Sequence, residues 1–583
     1  MNPVQQLLTE HIGIWSAADS AKRSGRGRAS SNAGSVYGVK KLRELILELA
    51  VRGKLVPQDA SDEPASELLK RIQAEKAQLI TDGKIRKGQP LLAIADKERS
   101  FDLPHGWDWV RLGSIGDWGA GATPLRSVSS YYGGRTPWFK SGELIADFID
   151  SSEETITDLA LKECSLRMNQ PGDVLIAMYG ATIGKTAILK VSGTTNQAVC
   201  ACTPNTGIFN RYLLVLLKAM KSNFIGQGAG GAQPNISREK IIATLVAIPS
   251  TEEQHRIVAK VDELMAMCDQ MEAQHTNTAD AHETLVSHLL GTLIESQNFD
   301  DFDSNWQRIT AHFDILFTTE ASIDALKQSL LQLAVMGKLV PQDASDEPAS
   351  ELLKRIKTEK ARLVAEGKIK KDKPLPPIKD ERKTFKLAQG WEWVRPDEFS
   401  IKITDGEHFR PPTEEKGVYF LSAKDVREEG VSLDDPLFIS DETAKKALQR
   451  CNPEYDDLLI VSRGATVGRM CKVNIYQKFC LLGSVILVKP TTLVLSDYLS
   501  ISLKSPSTFS LLINASGSTA QPAIYLKDLK EITISLPPIK EQHRIVAKVD
   551  ELMALCDQMK ARINDASQLQ RKLADVLVEH AVA

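Results

Sequence analysis

The stretch GKLVPQDASDEPASELLKRI, residues 53–72, occurs a second time as residues 337–356, with no change in 20 positions. A second stretch, EQHRIVAKVDELMAMCDQM at 253–271, returns at 541–559 with a single difference. The two repeats lie 284 and 288 residues apart, so one unit of about 285 residues is used twice. The segments between the repeats differ from each other, which indicates a shared frame that carries two divergent modules.

The length and composition indicate a globular protein with several domains. The 583 residues exceed what one core can hold and predict about three to four domains. The sequence has neither an apolar run of about 18 residues nor a charged start followed by an apolar stretch, so we expect no membrane span and no secretory signal. The eight cysteines form no CxxC pair and are expected to be reduced thiols in a cytoplasmic protein.

The charge is nearly balanced overall but uneven along the chain. The net charge of −3 is unusual for a protein that binds nucleic acid by itself. Residues 22–43 carry seven basic residues and no acid, and residues 349–383 carry 12 basic against 6 acidic residues. Both segments could meet phosphates, although charge alone favours a mobile tail and a solvated helix face.

Each half of the chain opens with a predicted pair of helices. Apolar residues at helical spacing predict a helix over 39–51, which Gly53 ends. Pro64 marks the start of the next helix, with Ser61 or Asp62 as its cap. The same pattern returns later in the repeat.

Each pair of helices leads into a region of short β-like runs. The strands are predicted at WDWV and WEWV, at DVLIAMYG (173–180) and at DLLIVSRG (457–464), with Gly, Pro, Asn and Asp between them. These regions, 101–250 and 385–538, are therefore predicted to be mixed α and β domains.

A long amphipathic helix follows each mixed region. In the second copy the apolar residues alternate spacings of four and three: Ile545, Val549, Leu552, Cys556, Met559 and Ile563, with Leu573 and Leu577 continuing the register. The first copy weakens after Met271 and resumes at Leu285 and Leu289. Such heptads predict that the two helices pair within the chain. The expected fold is α+β, with two mixed α/β domains, long helices in an antiparallel coiled coil, and an internal pseudo-two-fold repeat.

The segment GATIGKT, Gly180–Thr186, has some features of a phosphate-binding loop. Three rather than four residues separate its glycines, Tyr179 stands where the first glycine should be, and the second copy, Gly464–Met470, lacks the lysine. An ATP site is therefore rejected. A tight turn that offers backbone N–H groups and Lys185 or Arg469 to a nucleic-acid phosphate is favoured, with a purely structural turn as the alternative.

No catalytic pattern survives inspection of the sequence. The sequence lacks an NPPY-like tetrapeptide of methyltransferases, a glycine-rich cofactor loop, an HExxH motif and an EF-hand pattern. We therefore expect no catalysis, no cofactor and no metal. His255 and His543 recur at helix starts, where capping or packing is expected.

Polar clusters recur at matching places in the two mixed regions. They are GATPLRS against TDGEHFRPP, WFKSGEL against FLSAKDV, and GGAQPNIS against STAQPAIY. Arg, Lys, Asn and Gln are the residues that read base edges in the major groove. The candidate DNA-binding residues are Thr123, Arg126, Lys140, Tyr179, Lys185, Gln233, Asn235, Asp405, His408, Arg410, Lys424, Arg463, Arg469 and Gln521.

The chain resembles the DNA-specificity subunits of type I restriction–modification systems. The resemblance covers nearly all of it and rests on the twofold frame, the GATxG turn, the AQP element and the LPPI-x-EQHRIV helix start. TDGEHFRPP matches the opening loop of a recognition domain in that family, whereas GATPLRS lacks the acid and the histidine.

The resemblance implies a non-catalytic subunit in which each mixed domain reads one half of a bipartite double-stranded DNA site. Two methyltransferase (modification) subunits would methylate adenine with S-adenosylmethionine, and two restriction subunits would add ATP-driven translocation and cleavage. A coiled-coil adaptor with two peptide-binding domains is the alternative.

These expectations divide the chain into six parts. The parts are a mobile basic N-terminal arm at 1–35, an N-terminal helical region at 36–100, target-recognition domain 1 at 101–250, a central helical region at 251–384, target-recognition domain 2 at 385–538, and a C-terminal coiled-coil helix at 539–583.

Overall fold

A computed structural model of the chain describes residues 10–17, 36–83, 90–228, 234–297, 299–370, 376–514 and 523–582. The chain forms two compact units. The first unit contains Met1–Thr278 and Ala566–Ala583, and the second contains Ala279–Asp565.

The helices of the described residues are numbered in chain order. They are α1 (Ile12–Ala17), α2 (Tyr37–Val51), α3 (Ala65–Thr81), α4 (Asp158–Glu163), α5 (Asn210–Ala219), α6 (Lys221–Gly226), α7 (Arg238–Ala243), α8 (Thr251–Glu295), α9 (Phe299–Ala311), α10 (Phe313–Leu316), α11 (Glu320–Val335), α12 (Ala349–Ala365), α13 (Pro396–Phe399), α14 (Asp441–Arg450), α15 (Ser496–Lys504), α16 (Pro506–Asn514), α17 (Leu526–Glu531) and α18 (Ile539–Val582). Short 3-10 helices lie at Asp96–Glu98, Leu112–Ser114, Ser129–Tyr131, Ser141–Glu143, Gly180–Thr182 and Asp380–Arg382.

The strands fall into two groups, which we call the first and the second β region. The first β region contains β1 (Asp108–Arg111), β2 (Gly116–Ala120), β3 (Tyr132–Phe139), β4 (Phe148–Ile149), β5 (Thr155–Ile156), β6 (Val174–Ala177), β7 (Thr186–Leu189), β8 (Thr194–Thr195), β9 (Val199–Pro204) and β10 (Leu245–Ile248). The second β region contains β11 (Glu392–Val394), β12 (Ser400–Asp405), β13 (Val418–Leu421), β14 (Val426–Arg427), β15 (Gly430–Val431), β16 (Leu437–Ile439), β17 (Leu458–Val461), β18 (Met470–Lys472), β19 (Phe479–Leu481), β20 (Val485–Pro490) and β21 (Ile534–Leu536).

Both β regions have a larger sheet, a three-stranded sheet and a closing pair. In the first region the sheets have the orders β2-β9-β6-β7-β4 and β5-β3-β8, and β1 pairs with β10. In the second region the orders are β12-β20-β17-β18 and β16-β13-β19, while β11 pairs with β21 and β14 with β15. The closing pair joins the first and last strands of each region, so both ends of the region meet at the helices. The strands predicted at the two Trp-x-Trp-Val segments are confirmed.

Apolar runs explain the central strands. All four residues of β6 and all four of β17 are buried, as expected for strands with covered faces. Each run comes directly after an aspartate, Asp173 or Asp457, whose carboxylate accepts a backbone N–H and closes the turn before the strand. The strands predicted over 173–180 and 457–464 are thus confirmed.

The helices of the first unit share a core with the first β region. Tyr37 on α2 donates its hydroxyl hydrogen to Asp575 of α18 over 2.7 Å, and Arg43 pairs with Asp269 of α8 at 2.6 Å. Leu264 and Cys268 of α8 and Ala574 of α18 are buried in the same cluster as α2. In the second unit the end of α8 and the first part of α18 share a cluster with α11, where Lys560 pairs with Asp324 at 2.9 Å.

Three expectations need correction. The first concerns the predicted mobile arm at 1–35: residues 10–17 include α1, and Trp15 is fully buried in the first core. A buried tryptophan supplies enough apolar area to hold that short helix, whereas the other residues of the arm lie outside the described residues. Secondly, the carboxylate of Asp62 does not cap α3 but accepts hydrogen bonds from Arg256 at the start of α8.

The third correction concerns the heptads. Leu285 and Leu573 are exposed, and the buried residues are one position later, at Val286 and Ala574. A helix with 3.6 residues per turn drifts about 20° per heptad, so over the four heptads from Ile545 the apolar face moves roughly 80°, nearly one residue. The strict heptad register is therefore wrong at the far ends of both helices.

None of the helices in the described part of the chain is both long enough and apolar enough to cross a bilayer. All eight cysteines are free, and seven of them are buried. Burial raises the pKa of the Cys200 thiol to about 12, so this thiol stays protonated and unreactive near neutral pH.

Candidate nucleic-acid interface

A buried carboxylate fixes each β region to its helices. In the first unit Glu253, at the start of α8, accepts a hydrogen bond from the indole of Trp107 at 3.0 Å and another from Gln58 at 3.2 Å. Gln58 lies in the repeated GKLVPQD loop and also donates to Gly53 O at 2.7 Å. The repeat, the entry to the first strand and the long helix are thus tied together at one point.

The second unit contains the same network in its own residues. Glu541 accepts hydrogen bonds from Trp391 at 2.9 Å and from Gln342 at 3.2 Å, and Gln342 also donates to Gly337 O at 2.6 Å. Burial raises the pKa of the Glu253 and Glu541 carboxyls, and the two donors partly oppose that rise. The neighbouring His255, for which capping or packing was expected, is exposed and packs on the Phe209 ring, with 4.0 Å between ring centroids.

One edge of the first β region brings several predicted residues together. The β6–β9 ladder continues to Met178, which donates its N–H to Ala198 O at 2.8 Å, so Tyr179 and Gln197 follow at its end. Tyr179 then bridges to Asn235, and the hydroxyl of Thr123 donates to the Gln197 side chain. Thr123, Tyr179 and Asn235 therefore lie on one exposed edge, together with Gln197, which the sequence had not indicated.

The second β region has the same edge, built by equivalent backbone hydrogen bonds. The β17–β20 ladder continues to Ser462, whose N–H donates to Ser484 O at 2.8 Å, so Arg463 and Gly483 follow at its end. Arg463 bridges to Ala523 as Tyr179 bridges to Asn235. The loop after β12 joins this edge because Gly483 donates its N–H to Glu407 O at 2.7 Å, which places His408 beside it.

The equivalent positions on the two edges carry different side chains. We call these edges the first and the second reading edge. The matching pairs are Tyr179 and Arg463, Thr123 and His408, Gln197 and Gly483, Asn235 and Ala523, and Lys185 and Arg469. The backbone scaffold is thus shared, whereas the groups that face solvent from it are not.

The GATxG turns stand beside these edges. Gly184 and Gly468 have φ of +76° and +84°, and a Cβ on Gly468 would lie 2.7 Å from the Phe509 ring. Glycine is therefore required there for both backbone and space. Lys185 is half-buried and its ammonium group forms no hydrogen bond or ion pair with the described residues, whereas Arg469 donates to Ala423 O at 2.8 Å and is partly committed to the fold.

Arg126 and Lys140 form an ion-pair cluster next to the first edge. Arg126 pairs with Glu154 at 2.5 Å, and its guanidinium lies 4.7 Å from the Tyr132 ring centroid. Lys140 pairs with the same Glu154 at 3.1 Å. Hydrogen bonds from the two cations hold the pKa of Glu154 below its usual range. To bind a phosphate or a base through the same N–H groups, both cations would have to release the Glu154 carboxylate.

A second cluster supports the loop after β12. The carboxylate of Asp405 pairs with Arg450, which also lies 2.7 Å from Nε2 of His408. Arg450 comes from the end of α14, 45 residues further along the chain, and no sequence signal had identified it. Asp405 is thus a support of the loop and is half-buried, while His408 is exposed.

The remaining candidate residues differ in whether their side chains are already paired within the protein. Arg410 and Arg463 are exposed, and their guanidinium groups form no hydrogen bond or ion pair with the described residues. Lys424 pairs with Asp435 at 2.8 Å, and that hydrogen bond raises its pKa. Gln233 and Gln521 lie outside the described residues. Within the described ranges, no group of three or more His, Cys, Asp or Glu side chains is arranged to hold a metal.

Comparison with known proteins identifies the family. The family model for the type I restriction modification DNA specificity domain matches residues 104–280 and 409–567. The specificity subunit of the type I restriction enzyme EcoAI from Escherichia coli is 40% identical, over 99% of this chain and 100% of that protein, and that of EcoEI from Escherichia coli is 37% identical over the same shares. One chain of a solved type I R-M system is 20% identical, with 83% of this chain and 99% of that chain covered and a TM-score of 0.46. The chain therefore belongs to the type I restriction–modification specificity subunits, the non-catalytic chains that determine which DNA sequence is recognised.

Proposed function

We propose that this specificity subunit reads a bipartite DNA site, with residues 101–250 and 385–538 acting as two target-recognition domains. The observation that carries the proposal is the pair of reading edges, which share their backbone hydrogen bonds and differ in their exposed side chains. A shared scaffold with different exposed groups is what two unlike half-sites require, because bases are told apart by the donors and acceptors presented to them.

The side chains on the edges suggest two kinds of contact. Among the described residues Arg463 and Arg410 have no hydrogen-bond or ion-pair partner, so their guanidinium groups suit bidentate contacts to guanine, whereas Asn235 and Gln197 are amides that suit adenine. Lys185 directly follows Gly184 of the glycine turn, and its ammonium group suits a phosphate. Arg126, Lys140, Lys424 and Arg469 are already paired and would act after exchanging partners.

The near-neutral charge of the chain is compatible with this role. Acidic residues neutralise much of the positive charge near the edges, as in the pairing of Arg126 with Glu154. The chain therefore provides few unpaired cations for sequence-independent binding, which depends on phosphate contacts. Partner subunits would supply most of those contacts.

The long helices are proposed to form an antiparallel coiled coil within a pseudo-two-fold arrangement. Each unit by itself supports the idea, because the lysine of each GKLVPQD repeat sits at the end of a long helix. Lys54 donates to Val582 O of α18 at 3.1 Å, and Lys338 donates to Ile294 O of α8 at 2.6 Å. A cation at a helix C-terminus is favourable because of the helix dipole. Such a spacer would fix the distance between the two half-sites.

The proposed partners follow from the family. Two modification subunits would methylate adenine in the recognised site, and two restriction subunits would cleave unmodified DNA. Because the hydrogen-bond networks at Glu253 and Glu541 match, the helices that they hold in place would offer similar surfaces to the two modification subunits.

A domain exchange tests the function. Residues 101–250 are replaced by the matching segment of the EcoAI relative, the chain is expressed with its modification subunits, and methylated adenines are mapped by sequencing. Only one half of the methylated site is expected to change, and exchange of 385–538 should change only the other half. An unchanged site after both exchanges would contradict the proposal and favour the adaptor alternative.

A further inference from the structure

Phe409 projects from the second reading edge almost entirely into solvent. Its side chain is 86% exposed, in the loop that leaves β12. A single exposed apolar residue is ordinary on a protein surface, so the exposure alone means little. Phe409 is distinguished by its position between His408 and Arg410, two candidate DNA-binding residues, and by the contacts that support its loop.

The base of this loop is held firmly. Asp405 pairs with Arg450, and Glu407 exchanges backbone hydrogen bonds with Leu481 O at 2.8 Å and Gly483 N–H at 2.7 Å. These contacts end immediately before Phe409, so the ring extends from an ordered support.

Two arginines lie near Phe409. His408 and Arg410 flank it, and the exposed Arg463 stands on the same edge. The negative charge of Asp405 is neutralised by Arg450. An exposed aromatic ring beside two arginines suits a polyanion with stackable bases, whereas an apolar protein partner would leave the two arginine charges desolvated.

The first reading edge has a related feature. Leu125 is 68% exposed in the equivalent loop, two residues after Thr123, whereas Phe409 directly follows the matching His408. Tyr132 supports this loop by donating its hydroxyl hydrogen to Pro124 O at 2.6 Å. Each loop therefore holds one large apolar side chain beyond its edge.

We propose that Phe409 inserts between two base pairs of the second half-site and unstacks that step. This rests on the proposed function, in which the second β region reads that half-site. Phe and Leu are among the side chains that act as wedges in DNA, where they kink the duplex by roughly 20–90°. The wedge would add specificity for a deformable pyrimidine–purine step, and it would lower the cost of removing an adjacent adenine from the stack.

The test uses the full chain assembled with its modification subunits and a duplex that carries its mapped methylation site. 2-Aminopurine replaces each purine of the second half-site in turn, and fluorescence, bend angle and affinity are measured for the wild type, F409A and F409L. Tyr476→Ala is the matched control, because Tyr476 is 82% exposed and stacks on Tyr455, which precedes β17, whereas the reading edge follows β17.

The wild type is expected to raise the fluorescence at one step and to bend the duplex. F409A should lose both signals and about tenfold in affinity, F409L should retain part of each, and Y476A should match the wild type. Thermal unfolding should be unchanged in F409A and F409L, since the Phe409 ring is exposed, whereas Y476A should lose only the stacking on Tyr455.

Two outcomes would overturn the wedge. The first is that F409A bends and binds DNA as the wild type does. The second is that F409A weakens assembly with the modification subunits in the absence of DNA, which would assign Phe409 to a protein interface. Failure of the proposed function is distinguishable, since the wild type would then bind equally well to duplexes with a scrambled second half-site.

Discussion

Substitution of Arg463 by alanine should remove one base contact in the second half-site and leave the fold intact. The backbone of Arg463 is fixed by its bridge to Ala523, while the side chain is exposed and forms no hydrogen bond or ion pair with the described residues. Truncation of such a surface side chain changes the free energy of unfolding by less than about 0.5 kcal/mol. A change in DNA binding would therefore report the contact and not a loss of folded protein.

The expected size of the effect follows from the state of the guanidinium. Because no ion pair has to be broken, the full value of a bidentate contact to guanine, about 1–3 kcal/mol, is available to Arg463. Its loss should weaken binding roughly 5- to 150-fold. Arg126 should give a smaller loss in the first half-site, since its charge is already paired with Glu154.

The assay is competition binding with duplexes that each differ from the mapped site at one base pair. R463A should bind the intact site less tightly and should stop discriminating at one position of the second half-site. Tyr179→Phe, at the equivalent position, should affect only the first half-site. Equal weakening by R463A on every duplex, with a shallower salt dependence, would show a phosphate contact and refute the base-reading role.

Two further predictions concern the frame. Trp391→Phe leaves one oxygen of buried Glu541 without its donor and should lower the free energy of unfolding by about 1–3 kcal/mol in urea titrations, as should Trp107→Phe at Glu253. Because burial raises the pKa of Glu541, the contribution of this carboxyl to stability is complete below its ordinary pKa of 4.5 and is lost as the pH rises through the folded pKa. Loss of the indole hydrogen bond raises the folded pKa further, so the destabilisation by Trp391→Phe should grow with pH. A destabilisation that does not change with pH would contradict this role of the carboxyl. Deletion of one matched heptad from α8 (276–282) and from α18 (564–570) should shorten the helical spacer by about 10 Å. The DNA between the two half-sites should then be roughly three base pairs shorter, with the same bases read. An unchanged distance between the half-sites in the mapped methylation sites would count against the coiled coil as the element that sets this distance.

The secondary structure and the family were accessible from the sequence because they depend on local patterns. The buried runs of β6 and β17 and the repeated helix starts are contiguous in the chain. The heptads predicted the long helices correctly but placed Leu285 and Leu573 in the buried face, because a fixed period of seven ignores the drift of a 3.6-residue helix.

The reading edges could be predicted only in part. Tyr179 and Arg463 were indicated by a nearby glycine turn, but Gln197 and Arg450 come from distant segments and meet the edges through strand pairing and an ion pair. Contacts of that kind leave no local signal. The same reason explains why Glu253 was not predicted, since the burial of one helix-start residue and the exposure of another depend on what packs against them.

The two copies within this one chain show how specificity can change without loss of structure. The network of Glu253, Trp107 and Gln58 is reproduced residue for residue in the second unit, because a change in any member would leave a buried polar group without a partner. The side chains of Tyr179 and Arg463 are exposed, and their replacement costs little folding energy, so both are compatible with the same backbone. Under the proposed function, a new half-site can therefore arise by substitution at an edge, while the helices that are proposed to set the spacing and bind partners stay as they are.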